Sequence, residues 1–370
     1  MNKKTYFITG GGTGGHIYPA IAVADALLEL EDTEKIYYVG NPNKLEAGIV
    51  KDKNYEFLPV ISSGMPRKIS FKLFKWAFGM VFAWLKCCQY IGKYKPDAIF
   101  GTGGYVSAPA LLAGMTMKVP FVMHDCDANP GLVTRKLAPY ANSLSVAFKA
   151  AKEKLKNPNC HINGNPIRSK FKTLNKSEAR AQLGLDDKIT ICIMGGSQGA
   201  QTINNAASNI LKKLSKENNV QIIFQTGKKN FDKTIEQLQK TYPEYEKDKN
   251  IIIKPYFEDM VTVLKACDIA VSRAGSLSIS ELCACSIAPI FIPYPYAAAD
   301  HQRKNAKYMV ECGAGLYLED SDTNAESLYK LVSELINNPD QLNQIQTEAG
   351  KLAKFDGVKN IIEQIHACAI

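Results

Sequence analysis

One ionisable side chain, His16, stands at the end of a glycine run, Gly10-Gly11-Gly12-Thr13-Gly14-Gly15-His16. A solvent-near imidazole titrates near neutrality and can take a proton from a hydroxyl. Glycine lets the backbone take positive φ and lets a ligand come close to bare N–H groups. The residues before the run, Tyr6-Phe7-Ile8-Thr9, read as a buried strand, and those after it, Ile17 to Asp25 with an early Pro19, read as a helix. A helix N-terminus behind such a turn is a ready anion site, because its free N–H groups point outward and its dipole end is positive. The chemistry expected here is a meeting of phosphate groups with a reacting hydroxyl. His124 and Asp125 are rival bases, while His161, His301 and His366 have little to recommend them.

Further clusters repeat the theme. Ala98-Ile99-Phe100 leads to Gly101-Thr102-Gly103-Gly104-Tyr105, and a strand over 189–194 leads to Gly195-Gly196-Ser197-Gln198-Gly199-Ala200, where Ser197 can donate to a phosphate oxygen. A lone glycine cluster is weak evidence, but three, each after a strand, are stronger. In Ser272-Arg273-Ala274-Gly275-Ser276-Leu277-Ser278-Ile279-Ser280-Glu281, Gly275 turns, Ser276 is expected to cap a helix, and Glu281 stands where a carboxylate can accept both hydroxyls of a ribose. Asp300-His301-Gln302 follows a strand end and suits sugar hydroxyls, which need directional donors and acceptors. Arg168, just after Asn163-Gly164-Asn165-Pro166-Ile167, can pair with a pyrophosphate through two parallel N–H bonds.

These groups need elements to hold them. Strands alternate with helical stretches in each half of the chain, which predicts an α/β fold with parallel, doubly wound sheets. Ligands of such sheets sit at the carboxyl ends of strands, where the glycine and polar clusters fall. A length of 370 residues with 46% hydrophobic content fits two globular domains. We expect an N-terminal domain over 1–164, a C-terminal domain over 165–345, and a terminal helical stretch, 346–370, returning to complete the first. A net charge of +9 suits an anionic partner: a nucleotide, a phospholipid surface or nucleic acid. None of the ten cysteines forms a Cys-x-x-Cys pair, so buried reduced thiols are the simplest account and zinc is not expected. Met1-Asn2-Lys3-Lys4 runs straight into a strand without a signal-peptide pattern.

The stretch from Gly64 to Pro96 breaks the pattern. It holds Arg67, Lys68, Lys72, Lys75, Lys86, Lys93 and Lys95 and no acidic residue. Its uncharged run, Trp76 to Leu85, is too short to span a bilayer, which takes ~20 apolar residues. On helical spacing Phe71, Phe74, Phe78, Phe82 and Leu85 share a side flanked by lysines. That suits a helix lying on an anionic membrane surface, and also a helix packed on the sheet with solvated lysines.

Taken in order, Gly11 to Pro19, Gly101 to Ser107, Gly164 to Arg168, Gly195 to Ala200, Arg273 to Glu281 and Asp300-His301-Gln302 resemble the MurG family, the UDP-N-acetylglucosamine transferases that make lipid II. The resemblance covers nearly the whole chain. It implies a GT-B type fold, two Rossmann-like domains with parallel sheets facing across a cleft, no metal or other cofactor, and inversion at the sugar carbon. It implies that the second domain binds UDP-N-acetylglucosamine, with Glu281 on the ribose, Ser276 and Leu277 on the phosphates within the run Ser276, Leu277, Ser278, Ile279, Ser280 and Glu281. Phe257 would lie by the uracil, Gln302 on the sugar, and Ser197 and Arg168 on the diphosphate side; Thr13, Gly14 and Gly15 also reach the donor. The first domain would take lipid I, with its diphosphate at Gly11, Gly12, Gly103, Gly104 and Tyr105. Phe71 to Leu85 fits the family's membrane-docking patch.

One departure stands out. The family reads His-Glu-x-Asn before its Pro-Gly, whereas this chain has His124-Asp125-Cys126-Asp127 before Pro130-Gly131, so either Asp127 or Asn129 takes the donor-sugar contact. The implied reaction is a single displacement with His16, or a carboxylate it works with, as base. Its setting is peptidoglycan synthesis, and with it cell shape and division, at the cytoplasmic face of the inner membrane as a peripheral protein beside other wall-synthesis proteins, with no nucleic acid. A UDP-N-acetylglucosamine 2-epimerase of similar build is the competing reading. An NAD-dependent oxidoreductase is disfavoured, since no convincing Gly-x-Gly-x-x-Gly with an acidic residue after the second strand appears and Gly40-Asn41 stands there instead.

Overall fold

A computed structural model describes residues 3–66, 71–196, 198–217 and 220–369. Ser197, Arg67 and Lys68 lie outside the described residues. The chain divides into two compact units, Met1–Ile167 with Asp356–Ile370, and Arg168–Phe355.

In the first unit seven parallel strands form one sheet: β1 (Lys4–Thr9), β2 (Thr33–Gly40), β3 (Glu56–Pro59), β4 (Ala98–Gly101), β5 (Phe121–Asp125), β6 (Ser143–Val146) and β7 (Cys160–Ile162), in the order β3-β2-β1-β4-β5-β6-β7. Residues such as Phe7, Ile8, Ile99, Phe100 and Val122 are buried, because helices cover both faces of a parallel sheet. The order reverses between β1 and β4, so the crevice at their carboxyl ends is the place where such sheets take ligands. The expected terminal stretch is not one helix. Pro339–Lys351 belongs to the second unit, and Gly357–Cys368 packs Ile361 and Ile365 into the core of the first.

The second unit repeats the plan with β8 (Thr190–Met194), β9 (Gln221–Gln225), β10 (Ile251–Lys254), β11 (Ile269–Ser272), β12 (Ala288–Phe291) and β13 (Leu316–Tyr317), in the order β10-β9-β8-β11-β12-β13. Its switch point lies between β8 and β11, where Gly195-Gly196 and Arg273–Gly275 emerge. Two-residue β13 has too little periodicity to be read from sequence.

The basic stretch forms a 24-residue helix, Phe71–Tyr94. Ala83, Cys87, Tyr90 and Ile91 are its buried face, at helical spacing. Trp84 Nε1 donates to Thr116 Oγ1 at 3.1 Å and Trp76 Nε1 to the Ser63 carbonyl at 2.9 Å, so both indoles anchor the helix to the unit. Phe71, Phe74, Phe78, Phe82 and Leu85 are 49–84% exposed. The packed-on-sheet alternative therefore fails for this stripe.

Candidate functional site

His16 sits in the first turn of the helix Gly14–Leu28, which β1 feeds through the glycine run. Its Nδ1 lies 2.8 Å from the Thr102 carbonyl oxygen, and Thr102 Oγ1 donates to the His16 carbonyl at 2.6 Å. A carbonyl only accepts, so in the neutral ring Nδ1 carries the proton and Nε2 presents its lone pair. The ring is half-buried. Two strand ends thus orient one imidazole: β1 supplies the residue and β4 supplies Thr102.

The two glycine turns of this unit form one crevice. A Cβ at Gly104, where φ is +73°, would lie 3.1 Å from His16 Cδ2 and 3.2 Å from the Gly11 carbonyl oxygen. A Cβ at Gly12, where φ is +83°, would lie 3.0 Å from the Tyr105 ring. Glycine is required at both by conformation and by space. The amides of His16 and Ile17 close onto the Thr13 carbonyl, which leaves those of Gly14 and Gly15 at the open helix end. Gly12 N–H instead donates to Glu46 Oε2 at 3.1 Å. Tyr38 Oη donates to the Gly10 carbonyl at 2.6 Å and fixes the entry to the turn.

His124 is no rival to His16. It is fully buried between Ser145 Oγ, 2.9 Å from Nδ1, and Asn165 Oδ1, 3.1 Å from Nε2. Asn165 Nδ2 donates to the Cys126 carbonyl, and Asn163 Nδ2 donates to Ser145 Oγ and to Gln364 Oε1 of the terminal helix. Burial holds the His124 pKa down to about 4, so the ring is neutral near pH 7. Asp125 is also buried, and desolvation raises its carboxyl pKa. It holds a turn, accepting from the amides of Asp127 at 3.2 Å and Gly131 at 3.1 Å. Asp127 and Asn129 are half-buried in that turn, and Asn129 Oδ1 accepts from Lys154 Nζ at 3.3 Å.

In the second unit Gly275, not Ser276, takes the N-cap position of the helix Ser276–Ala284; Ser276 is its first helical residue and is buried. The Ile279 amide donates to the Gly275 carbonyl and its side chain lies in the core, so the open amides are those of Ser276, Leu277 and Ser278. Ser280 Oγ donates back to the Ser276 carbonyl at 3.1 Å. Glu281, half-buried one turn on, pairs with Arg168 Nη2 at 3.2 Å. Burial raises the Glu281 carboxyl pKa and Arg168 pulls it back. Arg168 thus stands at the carboxylate expected on the ribose. Phe257 is buried, with its amide donating to Gln225 Oε1 at 3.0 Å.

Gln302 Oε1 accepts from the Tyr294 amide at 2.9 Å, which turns its NH₂ outward as a donor. It lies in the first turn of the helix His301–Glu311, which follows Ala299 and Asp300, whose φ values of 52° and 57° are unusual for side-chain-bearing residues. Arg273 Nη1 holds the loop by donating to the carbonyls of Ile292 and Pro293, each at 3.0 Å, and to Asp320. Sequence reasoning missed Glu46, Thr102 and Arg273 as holders of the site. Among the described residues no group of three or more His, Cys, Asp or Glu is placed to hold a metal ion.

Comparison with known proteins bears on the family and the fold. Residues 6–146 match the glycosyltransferase family 28 N-terminal domain and residues 190–365 the family 28 C-terminal domain. A UDP-N-acetylglucosamine–N-acetylmuramyl-(pentapeptide) pyrophosphoryl-undecaprenol N-acetylglucosamine transferase of Desulforamulus reducens is 35% identical over 96% of each chain. Its namesake in Carboxydothermus hydrogenoformans is 33% identical over 95% of this chain and 94% of its own. The crystal structure of Acinetobacter baumannii MurG superposes with a TM-score of 0.80 at 25% identity, covering 98% of this chain and 99% of that one. A putative UDP-N-acetylglucosamine 2-epimerase from Listeria monocytogenes reaches a TM-score of 0.68 at 15% identity over 99% and 97% of the two chains, a likeness of fold alone.

Proposed function

The chain belongs to glycosyltransferase family 28, and on that premise we propose that it moves N-acetylglucosamine from UDP-N-acetylglucosamine to the C4 hydroxyl of the N-acetylmuramyl residue of an undecaprenyl-pyrophosphoryl pentapeptide, lipid I, to give lipid II. Identity of 33–35% along nearly the whole chain favours transfer over epimerisation. The observation that carries the chemistry is His16, whose Nδ1–H is held by the Thr102 carbonyl so that Nε2 is a ready base beside amides suited to phosphate.

In the reaction Nε2 takes the C4 hydroxyl proton. The oxygen forms a bond to the anomeric carbon as the bond to the diphosphate breaks on the opposite face, and UDP leaves with the electron pair. The product is β-linked. Charge growing on the diphosphate is met by the amides of Ser276, Leu277 and Ser278 and by Arg168. Glu281 takes the ribose, Phe257 lies by the uracil and Gln302 donates to the sugar. The acceptor diphosphate sits at the glycine turns of the first unit, by Gly11, Gly103, Gly104 and Tyr105, and Thr13, Gly14, Gly15 and Asp127 or Asn129 serve the donor.

No helix of the described residues is long and apolar enough to cross a membrane. Five exposed apolar side chains flanked by Lys72, Lys75 and Lys86 support peripheral docking on an anionic surface, the cytoplasmic face of the inner membrane, where the lipid acceptor and other wall-synthesis proteins lie.

Incubation of the full chain with UDP-N-acetylglucosamine labelled in the sugar and with lipid I tests the assignment. Label moving to the lipid phase supports it. Label staying in the nucleotide pool, with UDP-N-acetylmannosamine accumulating, would favour the epimerase.

A further inference from the structure

Glu46 is fully buried at the start of the short helix Leu45–Val50, which follows β2. A buried carboxylate costs several kcal/mol in desolvation, so its partners report why it is there. Both oxygens face main-chain amides: Oε2 accepts from Gly12 N–H at 3.1 Å and Oε1 from Asn41 N–H at 3.2 Å. The packing is close, since a Cβ at Gly11 would lie 2.5 Å from Oε1. Asn41 is itself buried, and its Nδ2 donates to the Ser62 carbonyl at 2.6 Å. The chain Gly12–Glu46–Asn41–Ser62 therefore ties together the segments that leave β1, β2 and β3.

We propose that Glu46 is a positioning residue for the acceptor diphosphate. This rests on the assignment of the lipid acceptor to the first glycine turn. By holding the Gly12 amide inward, Glu46 keeps that residue at its φ of +83° and seats Gly12 against Tyr105, beside Gly11 and Gly104, the residues given to the acceptor diphosphate. The Gly12 amide is committed to the carboxylate and is not a diphosphate donor, which narrows the set expected from sequence. A negative charge behind an anion site repels the anion, so the carboxylate acts here through geometry and not through attraction.

Glu46→Gln tests this, because an amide NH₂ would then face one of the two main-chain N–H groups. Loss of a charge-assisted bond to the turn is expected to raise the acceptor KM by ~10–100-fold while the donor KM stays within about twofold. Glu46→Asp keeps the charge on a shorter arm, and an intermediate acceptor KM is expected. The thermal midpoint is measured on both. Donor and acceptor KM rising together, or neither moving, would overturn the proposal, as would a chain that folds with neither residue, since Glu46 would then serve the fold. If Glu46→Gln alone fails to fold, the same split in Glu46→Asp decides. A wild-type chain that transfers to no lipid acceptor would instead defeat the functional assignment.

Discussion

His16 and His124 lie in one unit, and what surrounds each decides its use. His16 has one nitrogen tied to a carbonyl and one presented outward, whereas His124 has both nitrogens occupied in a buried chain. With a folded pKa of about 4 against ~6.5 unfolded, His124 stays neutral as the unfolded chain takes up a proton. Stability is therefore unaffected above pH ~6.5 and falls as pH drops toward 4, by about 2 kcal/mol between pH 7 and 5. Urea unfolding of the first unit at those two pH values should show His124→Asn losing less stability on acidification than the wild type. An equal loss in both would mean that the buried ring is not the source. At Glu281 burial raises the carboxyl pKa and Arg168 opposes it. Donor affinity should then begin to fail on acidification at a higher pH than for an ordinary carboxylate. Arg168→Ala should move that limb higher still, and calorimetric UDP titrations across pH would show it. An unmoved limb would separate Arg168 from the carboxylate's titration. Glu281→Gln should raise the donor KM by ~10–100-fold at neutral pH.

At the scale of elements, strand–turn–helix units were legible because each has its own signature: a short apolar run, glycines, then helical composition. The helix Phe71–Tyr94 was legible as a helix but not as to which side faces out. Ala83, Cys87, Tyr90 and Ile91 make a second apolar stripe, and only packing shows that the phenylalanine stripe is the exposed one. Ser276 looked like a cap because serine often is one, yet Gly275 takes that place and the hydroxyl-bearing residue begins the helix. The exposed stripe supplies its own test. Replacing Phe74, Phe78 and Phe82 together with Ser should lower binding to vesicles rich in anionic lipid by tenfold or more, on the order of the loss of several partly inserted rings. The melting temperature should hold, because these side chains contribute little to the core. Vesicle binding that survives the triple change would remove the stripe from membrane docking. Added salt should weaken the wild-type interaction through the flanking lysines.

For the molecule as a whole, motif order along the sequence carried both the two-unit plan and the transferase reading, since glycine turns and their neighbours sit within a few residues of each other. What sequence hid are partners far apart in the chain. Thr102 orients His16 across 86 positions, Glu46 reaches Gly12 across 34, and Asn163 meets Gln364 across 201. Arg168, expected on a diphosphate, pairs with Glu281 across 113 positions in a contact that no local pattern announces. Transfer turns on a hydroxyl deprotonated by an oriented imidazole. Single-turnover transfer of labelled N-acetylglucosamine to lipid I, run across pH with wild type and His16→Ala at saturating acceptor, measures that step directly. A rate lower by ~10²–10⁴ is expected in the variant, with UDP affinity unchanged and the limb that reports an ionising base lost from its pH profile; a variant that transfers at the wild-type rate would remove His16 from the role of base.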